Sequence, residues 1–219
     1  MTGPFDTPFE SLPGRLPVFP LSGALLLPRC RLPLNIFEPR YLKMTEDALA
    51  VDRLIGIVQP VNVNSDASAP PLFETGCAGR ITSFSETDDG RILIILTGVS
   101  RFRVAEELDA GAPYRQVAPD WQAFRQDLVE PADGAIDRDR LYASLRVYFE
   151  ARDLDTDWDV LQDATDENLV NSLAMSCPFN VTEKQALLEA DDLSERGQLM
   201  LSLLDMAALD QVSDDLPLH

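Results

Sequence analysis

The chain has one histidine, and it is the last residue, His219. Ser-His-Asp and Cys-His catalysis and histidine-based metal binding each need an imidazole held beside a nucleophile or an ion, so a terminal histidine excludes them within one chain. Lysine is almost as scarce. Lys43 and Lys184 are the two present, both in stretches expected to be helical, and no GxxxxGK[ST] phosphate loop occurs. No GxGxxG opens a helix, and the nearest glycine pair, Gly76 and Gly79, reads as close packing around a strand. Three widely spaced cysteines, Cys30, Cys77 and Cys177, fit a reducing cytosol and small buried side chains rather than a disulfide framework. The opening MTGPFDTPFESLPGR lacks a basic region followed by an apolar run, and no apolar stretch approaches membrane-spanning length, which together imply a cytoplasmic protein with no membrane partner.

Positive charge is also short: 18 Lys and Arg against 37 Asp and Glu, a net charge of −19. The deficit is uneven, −4 over residues 1–120 and −15 over residues 121–219. Such a field repels phosphate backbones and anionic lipid, and favours solubility and basic or neutral partners. Its simplest origin is a well-solvated helical surface.

What the chain does have is an apolar opening stretch broken by proline. Residues 16–41 read LPVFPLSGALLLPRCRLPLNIFEPRY, with Pro17, Pro20, Pro28, Pro33 and Pro39. Proline fixes φ, removes an N–H and pushes the preceding residue toward extended geometry, so no continuous helix fits. Short extended pieces remain at 16–21, 24–27 and 31–37. Proline in strands is confined to edges, first positions and bulges, which suggests a bent, edge-forming start to a small barrel. A helix is expected over 39–50, with Pro39 in its first turn and Leu42, Thr45 and Leu49 on one face beside Met44 and Ala48. Residues 53–58 read as a strand and 59–71 as a loop.

Residues 77–86 and 91–97 flank Thr87-Asp88-Asp89-Gly90 and read as a β-hairpin. The run ILIIL at 92–96 is expected to be buried on both faces, and Gly98 to end it. A further strand at 100–108 alternates Phe102, Val104 and Glu106 against Arg101, Arg103 and Ala105, and another spans 114–121. Six or seven strands by residue 121 imply a mostly antiparallel, partly closed barrel.

Beyond residue 122 only Gly134 and Gly197 occur, and the pattern becomes helical. Leu141, Leu145, Tyr148 and Phe149 mark one stripe. Leu169, Val170, Leu173 and Ala174 mark another, and Leu199, Met200, Leu203 and Leu204 a third. Thr182–Gln185 and Asp192–Glu195 read as capping boxes. The fold expected is α+β, a β-barrel-like N-terminal lobe followed by a bundle of about four helices. The parts are a flexible arm at 1–15, a β-rich lobe at 16–121, a helical lobe at 122–209 and a frayed tail at 210–219.

Several sequence pieces resemble the N-terminal, substrate-binding domain of the Lon protease family. They are Leu16–Leu21, Leu27-Pro28, Leu34–Tyr41, Arg80-Ile81, Gly98–Phe102, Glu183–Glu189 and Glu195-Arg196. The similarity is greatest to free-standing bacterial proteins made of that domain alone, without the ATPase and protease domains. The resemblance implies a PUA-like barrel joined to a helical lobe and a non-catalytic, protein-binding role. Its partners would be polypeptide clients or a protease or chaperone of quality control.

Other chemistries have simpler assignments. The alternate aspartates Asp153, Asp155, Asp157 and Asp159 invite a calcium site, but they lack the glycine and terminal glutamate of an EF-hand loop and read as cap and turn formers. No metal, cofactor or catalytic residue is assigned. Arg80, Arg91, Arg101, Arg103 and Arg115 could serve a nucleic-acid-binding barrel. The net charge and neighbouring Glu74, Glu86, Glu106 and Glu107 favour cross-strand pairing instead, with no nucleic acid expected. A hydrolase with an unrecognised carboxylate site is the other alternative. The most distinctive motif is Phe37-Glu38-Pro39-Arg40-Tyr41. Phe37, Glu38, Arg40 and Tyr41 either present an aromatic and a charge at a protein-binding groove, or set topology, with both rings in the core, Glu38 capping the helix and Arg40 paired to a carboxylate. Binding could also use a strand edge in the proline-rich stretch or the cleft between the lobes. Oligomeric state is not legible.

Overall fold

A computed structural model describes residues 8–61, 70–109 and 111–214, with side chains described to residue 207. The fold is α+β, with six strands in one sheet and several helices. The chain divides into two compact units, and neither is continuous in sequence. One holds residues 1–130 and 180–188, the other 131–179 and 189–219.

In the first unit, β1 (Leu16–Pro20), β3 (Leu54–Pro60), β4 (Leu72–Glu86), β5 (Ile92–Leu108) and β6 (Gln116–Asp120) form a ring in the order β1-β3-β4-β5-β6. The ring closes because β6 pairs both β1 and the far half of β5. All pairings are antiparallel except β1 with β3. β2 (Arg31–Ile36) lies outside the ring, on the first half of β5. The piece at 24–27 is not a strand, although Leu25, Leu26 and Leu27 are buried.

β1 is internal, so its two prolines are not on a free edge. The strand is staggered instead. Leu16 and Pro17 register with β6, while Val18, Phe19 and Pro20 register with β3, so each proline sits where only one side of the strand is laddered. Gly98 does not end the run at 92–97. β5 continues as one 17-residue strand, with a bulge at Val99 between the pairs Gly79–Gly98 and Ala78–Ser100. The core of the ring is Leu16, Val18, Leu54, Val58, Ala78, Phe102, Val117 and Trp121, with Phe102 and Trp121 edge to face at 5.6 Å. Gly76 and Gly79 lie within β4, not beside it. A Cβ on Gly76 would come within 2.8 Å of the Phe102 ring, and one on Gly79 within 2.7 Å of Leu26.

α1 (Pro39–Ala50) packs on β1 and β3. Its buried face is Tyr41, Met44, Thr45 and Ala48, one residue earlier than the expected face through Leu42 and Leu49. Part of the expected loose arm is held: Phe9 and Leu12 pack on the core, and Trp121 Nε1 donates to the Pro13 carbonyl at 2.9 Å. A 3-10 segment, Gln122–Leu128, and α5 (Val181–Glu189) complete this unit. α5 buries Leu187 and Leu188 and makes several polar contacts. Gln59 donates to Gln185 Oε1 at 3.1 Å, Gln185 donates to the Thr75 carbonyl at 3.2 Å, and Lys184 donates to the Gly23 carbonyl at 2.9 Å. Its capping box is Asn180 with Glu183, not the one expected at Thr182–Gln185. Each of these two side chains accepts from the other's backbone N–H.

The second unit contains α2 (Arg138–Ala151), α3 (Trp158–Asp163), α4 (Asp166–Ser176) and α6 (Leu193–Asp214). The apolar stripes read from the sequence form its core: Leu141, Leu145 and Tyr148, then Leu169, Val170, Leu173 and Ala174, then Met200, Leu203 and Leu204. Asp192 caps α6 through the Glu195 N–H at 2.9 Å. α6 runs through Asp214, so the first five residues of the expected tail are helical; residues 215–219, including His219, lie outside the described residues.

Candidate functional site

The ring leaves part of its sheet unclosed. β3 pairs β4 only as far as Arg80, and the Ile81 N–H makes the last contact, to the Arg53 carbonyl at 2.8 Å. Beyond it, residues 81–86 of β4, 92–97 of β5 and all of β2 form a three-stranded antiparallel extension in the order β4-β5-β2. Both outer strands lack a further ladder partner among the described residues.

A bulge sets which side chains face where. Ile81 pairs Leu96 and Ser83 pairs Ile95, so Thr82 is the extra residue. One inserted residue reverses the alternation that follows and places Phe84 on the same face as Ile81. Phe84, Ile94 and Leu34 then make one cross-strand row. Ile94 is buried, Leu34 half-buried, and Phe84 is 52% exposed at the end of the row. On the opposite face Leu93, 46% exposed, sits between Ser85 and Asn35. ILIIL is therefore buried on one face only, contrary to expectation.

β2 leads into α1 through Phe37, and here the structure separates the four candidate residues. Phe37 is 62% exposed. Tyr41 is buried against Phe19, ring centroids 4.1 Å apart, and burial pushes its phenol pKa up. Arg40 lies over the Tyr41 ring at 4.5 Å and pairs with Glu38 at 2.9 Å. Glu38 is the N-cap residue, but its side chain makes no capping hydrogen bond, because that carboxylate is engaged by Arg40. The motif is thus a stack of Phe19, Tyr41 and Arg40, with Phe37 outside it.

The strand arginines have distinct partners. Arg115 makes two contacts at 2.6 Å to the Glu107 carboxylate across the β5–β6 pair, and Arg91 pairs Asp89 in the hairpin turn at 2.9 Å. Arg101 lies on the face opposite its neighbour Phe102, away from the ring core, and is buried there with Asp127 of the 3-10 segment. Beside α1, Tyr114 donates to Asp47 at 2.8 Å; burial and that carboxylate push the phenol up to about 12. In the second unit the alternate aspartates act locally: Asp157 caps α3 by accepting the Asp159 and Val160 N–H groups, and Asp155 accepts the Thr156 N–H. Phe84 and Leu93 were not singled out in the sequence. The phase reversal at Thr82 hides Phe84 from any alternation count.

Residues 15–206 match the family model described as the ATP-dependent protease La (LON) substrate-binding domain. The chain belongs to that family. Among its curated relatives, it is 28% identical over 206 residues to Lon protease 2 of Myxococcus xanthus, covering 90% of this chain and 24% of that protein. It is 26% identical over 192 residues to the Lon protease of Flavobacterium johnsoniae, covering 86% of this chain and 23% of that protein. The chain thus spans about a quarter of the length of these relatives. A crystal structure of a Lon N-terminal domain protein from Xanthomonas campestris shares the fold, with TM-score 0.58 and 22% identity over 93% of this chain and 99% of that one. The N-terminal domain of a Mycobacterium avium complex Lon protease gives TM-score 0.56 at 16% identity, over 92% and 100%. The Lon-like motifs fall at structural junctions: Arg80-Ile81 where β3 leaves β4, Gly98–Phe102 across the Val99 bulge, and Glu183–Glu189 in α5. Among the described residues no helix is long and apolar enough to cross a membrane.

Proposed function

We propose that this chain is a non-catalytic protein-binding module that holds exposed apolar segments of other polypeptides, and that its binding surface is the β4-β5-β2 extension together with Phe37. The observation that carries this reading is an apolar row ending in an exposed Phe84, on a sheet with two edges that are open among the described residues. Open strand edges offer main-chain hydrogen bonds to any extended segment, and exposed aromatic rings supply apolar contact area. Family membership supports a polypeptide as the partner. The net charge of −19 weighs against nucleic acid. Arg40, Glu38 and Tyr41 serve by fixing the start of α1, next in sequence to Phe37. The role proposed is that of a cytoplasmic accessory to quality control, passing clients to a protease or chaperone.

The test uses a client that cannot refold, reduced and carboxymethylated α-lactalbumin, in fluorescence anisotropy against the purified chain. Saturable binding to the unfolded form and none to the native form is expected. Phe37→Ala combined with Phe84→Ala should weaken it about tenfold or more, as loss of two aromatic anchors does. Equal binding of native and unfolded protein, or unchanged binding by the double variant, overturns the reading.

A further inference from the structure

The two open edges differ. β2 carries Pro33 at its middle, and a proline in an edge strand leaves its open side without a donor at that position. β4 carries no such guard. From Ser83 to Glu86 there is no proline, no lysine and no covering strand among the described residues, and all four side chains are exposed. Alternate residues of that segment turn their N–H and C=O groups away from β5. Natural sheets normally blunt such an edge with charge, proline or a cover. Here β3 begins at Leu54, opposite Arg80, so β4 beyond Ile81 has no ladder partner on that side among the described residues.

The edge also has an electrical direction. At its hairpin end are Glu86 and Asp88, both exposed, while Asp89 is neutralised by Arg91. At its other end is exposed Arg53, whose carbonyl receives the Ile81 N–H. Arg80 and Asp52 lie beside it, the Arg80 guanidinium on the Asp52 carbonyl at 3.0 Å and the Asp52 carboxylate on the Leu54 N–H at 3.1 Å. The edge therefore runs from net positive at Ile81 to net negative at Glu86 over about 17 Å, five strand steps.

We propose that the β4 edge from Ser83 to Glu86 binds one extended polypeptide segment by antiparallel strand addition, and that the segment is basic toward its amino end, apolar at its centre and acidic toward its carboxyl end. Antiparallel addition brings the amino end of the segment to Glu86 and Asp88 and its carboxyl end to Arg53. A central apolar side chain falls beside Phe84, continuing the row Leu34–Ile94–Phe84. Charge complementarity also selects against a second copy of this chain, whose net charge of −19 opposes self-association. This inference rests on the polypeptide-binding function proposed above and specifies its substrate.

The probes are three acetylated heptapeptides, each with a fluorophore on a carboxyl-terminal Gly-Ser tail: KVTITVE, the charge-swapped EVTITVK and the interrupted KVTPTVE. Anisotropy with the full chain should show KVTITVE about tenfold tighter than EVTITVK at low salt, the scale of several exposed charge contacts changing sign together. That preference should shrink in about 0.5 M salt through screening. Glu86→Lys with Asp88→Lys should reverse it, Phe84→Asp should remove binding of both, and KVTPTVE should not bind. All three side chains are exposed, so unchanged thermal unfolding of each variant shows that the fold is kept. Equal affinity for the two charge orders, no reversal in the double variant, or full binding of KVTPTVE overturns the proposal. Unfolded α-lactalbumin, run in parallel, separates the two ideas. If it binds while the peptides are not discriminated, only the edge assignment fails; if nothing binds, both fail.

Discussion

The Arg101 guanidinium grips the Asp127 carboxylate with both charges out of water: Nε donates to Oδ2 at 2.9 Å and Nη2 to Oδ1 at 2.8 Å. Oδ2 also accepts the Arg101 backbone N–H at 2.9 Å, and Nη1 donates to the Leu188 carbonyl at 2.9 Å. One residue pair thus ties β5 to the 3-10 segment and to α5. Removing one partner strands the other charge in the interior. Asp127→Ala should therefore cost about 3–5 kcal/mol in urea unfolding. The double variant Arg101→Met/Asp127→Leu should recover part of that loss, because no lone charge remains. A cost under about 1 kcal/mol for the single variant, the range of exposed pairs, would show that the pair is solvated in solution.

Gly98 is where the 27–30 turn crosses β5. Its N–H donates to the Cys30 carbonyl and its carbonyl accepts from the Arg29 N–H, both at 2.8 Å. A Cβ there would run into the Leu27 carbonyl, which is backbone and cannot swing aside. Gly98→Ala should cost at least about 1–3 kcal/mol, the scale of overpacking. Gly14→Ala, where nothing lies within 4 Å, should be neutral or slightly stabilising. Paired denaturation curves check both, and equal effects would contradict the close approach.

Tyr41 and Phe37 are four residues apart and should fail in different ways. Tyr41→Ala empties a buried site against Phe19 and should cost about 3–5 kcal/mol, as for other buried rings. Phe37→Ala should change stability by less than about 0.5 kcal/mol, being exposed, and yet weaken client binding. Thermal unfolding and anisotropy on the same two variants separate the roles. A large stability loss in Phe37→Ala would place that ring in the core instead.

Asp166 sets an acid limit for the second unit. Burial alone would raise its pKa, but the Arg138 guanidinium at 2.9 Å and the N–H groups of Gly134 and Ala135 at 2.7 and 3.0 Å outweigh it and hold the carboxyl below its usual value. The unfolded chain, with an aspartate pKa of about 3.9, therefore takes up this proton first. The contribution is complete above that pH and is lost as pH falls through the lower folded value. Urea unfolding across the acid range should show Asp166→Asn less stable near neutrality and less sensitive to acid. Parallel pH profiles for the two proteins would remove Asp166 from this role.

The helical half was the most legible part of the sequence. Its stripes at Leu141, Leu145 and Tyr148 and at Leu169, Val170, Leu173 and Ala174 are the observed core, because a helix exposes its period without reference to distant residues. Helix α1 was legible for the same reason, although its buried face lies one residue from the expected one. The strands were located, but not which of their faces the rest of the chain covers or exposes. Arg101, opposite ring-core Phe102, is covered by the 3-10 segment, and Thr82 sends Phe84 to the face of Ile81. Among the four motif residues, only Tyr41 took the core position that the structural alternative gave to both rings.

The sequence by itself determined the α+β class, the family and the poverty of catalytic groups, because composition, periodicity and local turn chemistry carry that information in neighbouring residues. Only the tertiary structure decided that β1 lies inside the ring, that β4 outruns β3 by six residues and that Arg101 meets Asp127. The first two depend on which segment stops pairing first, and the third on a segment distant along the chain covering the outer face of β5. Local propensity does not encode such registers; they follow from closing the sheet on itself.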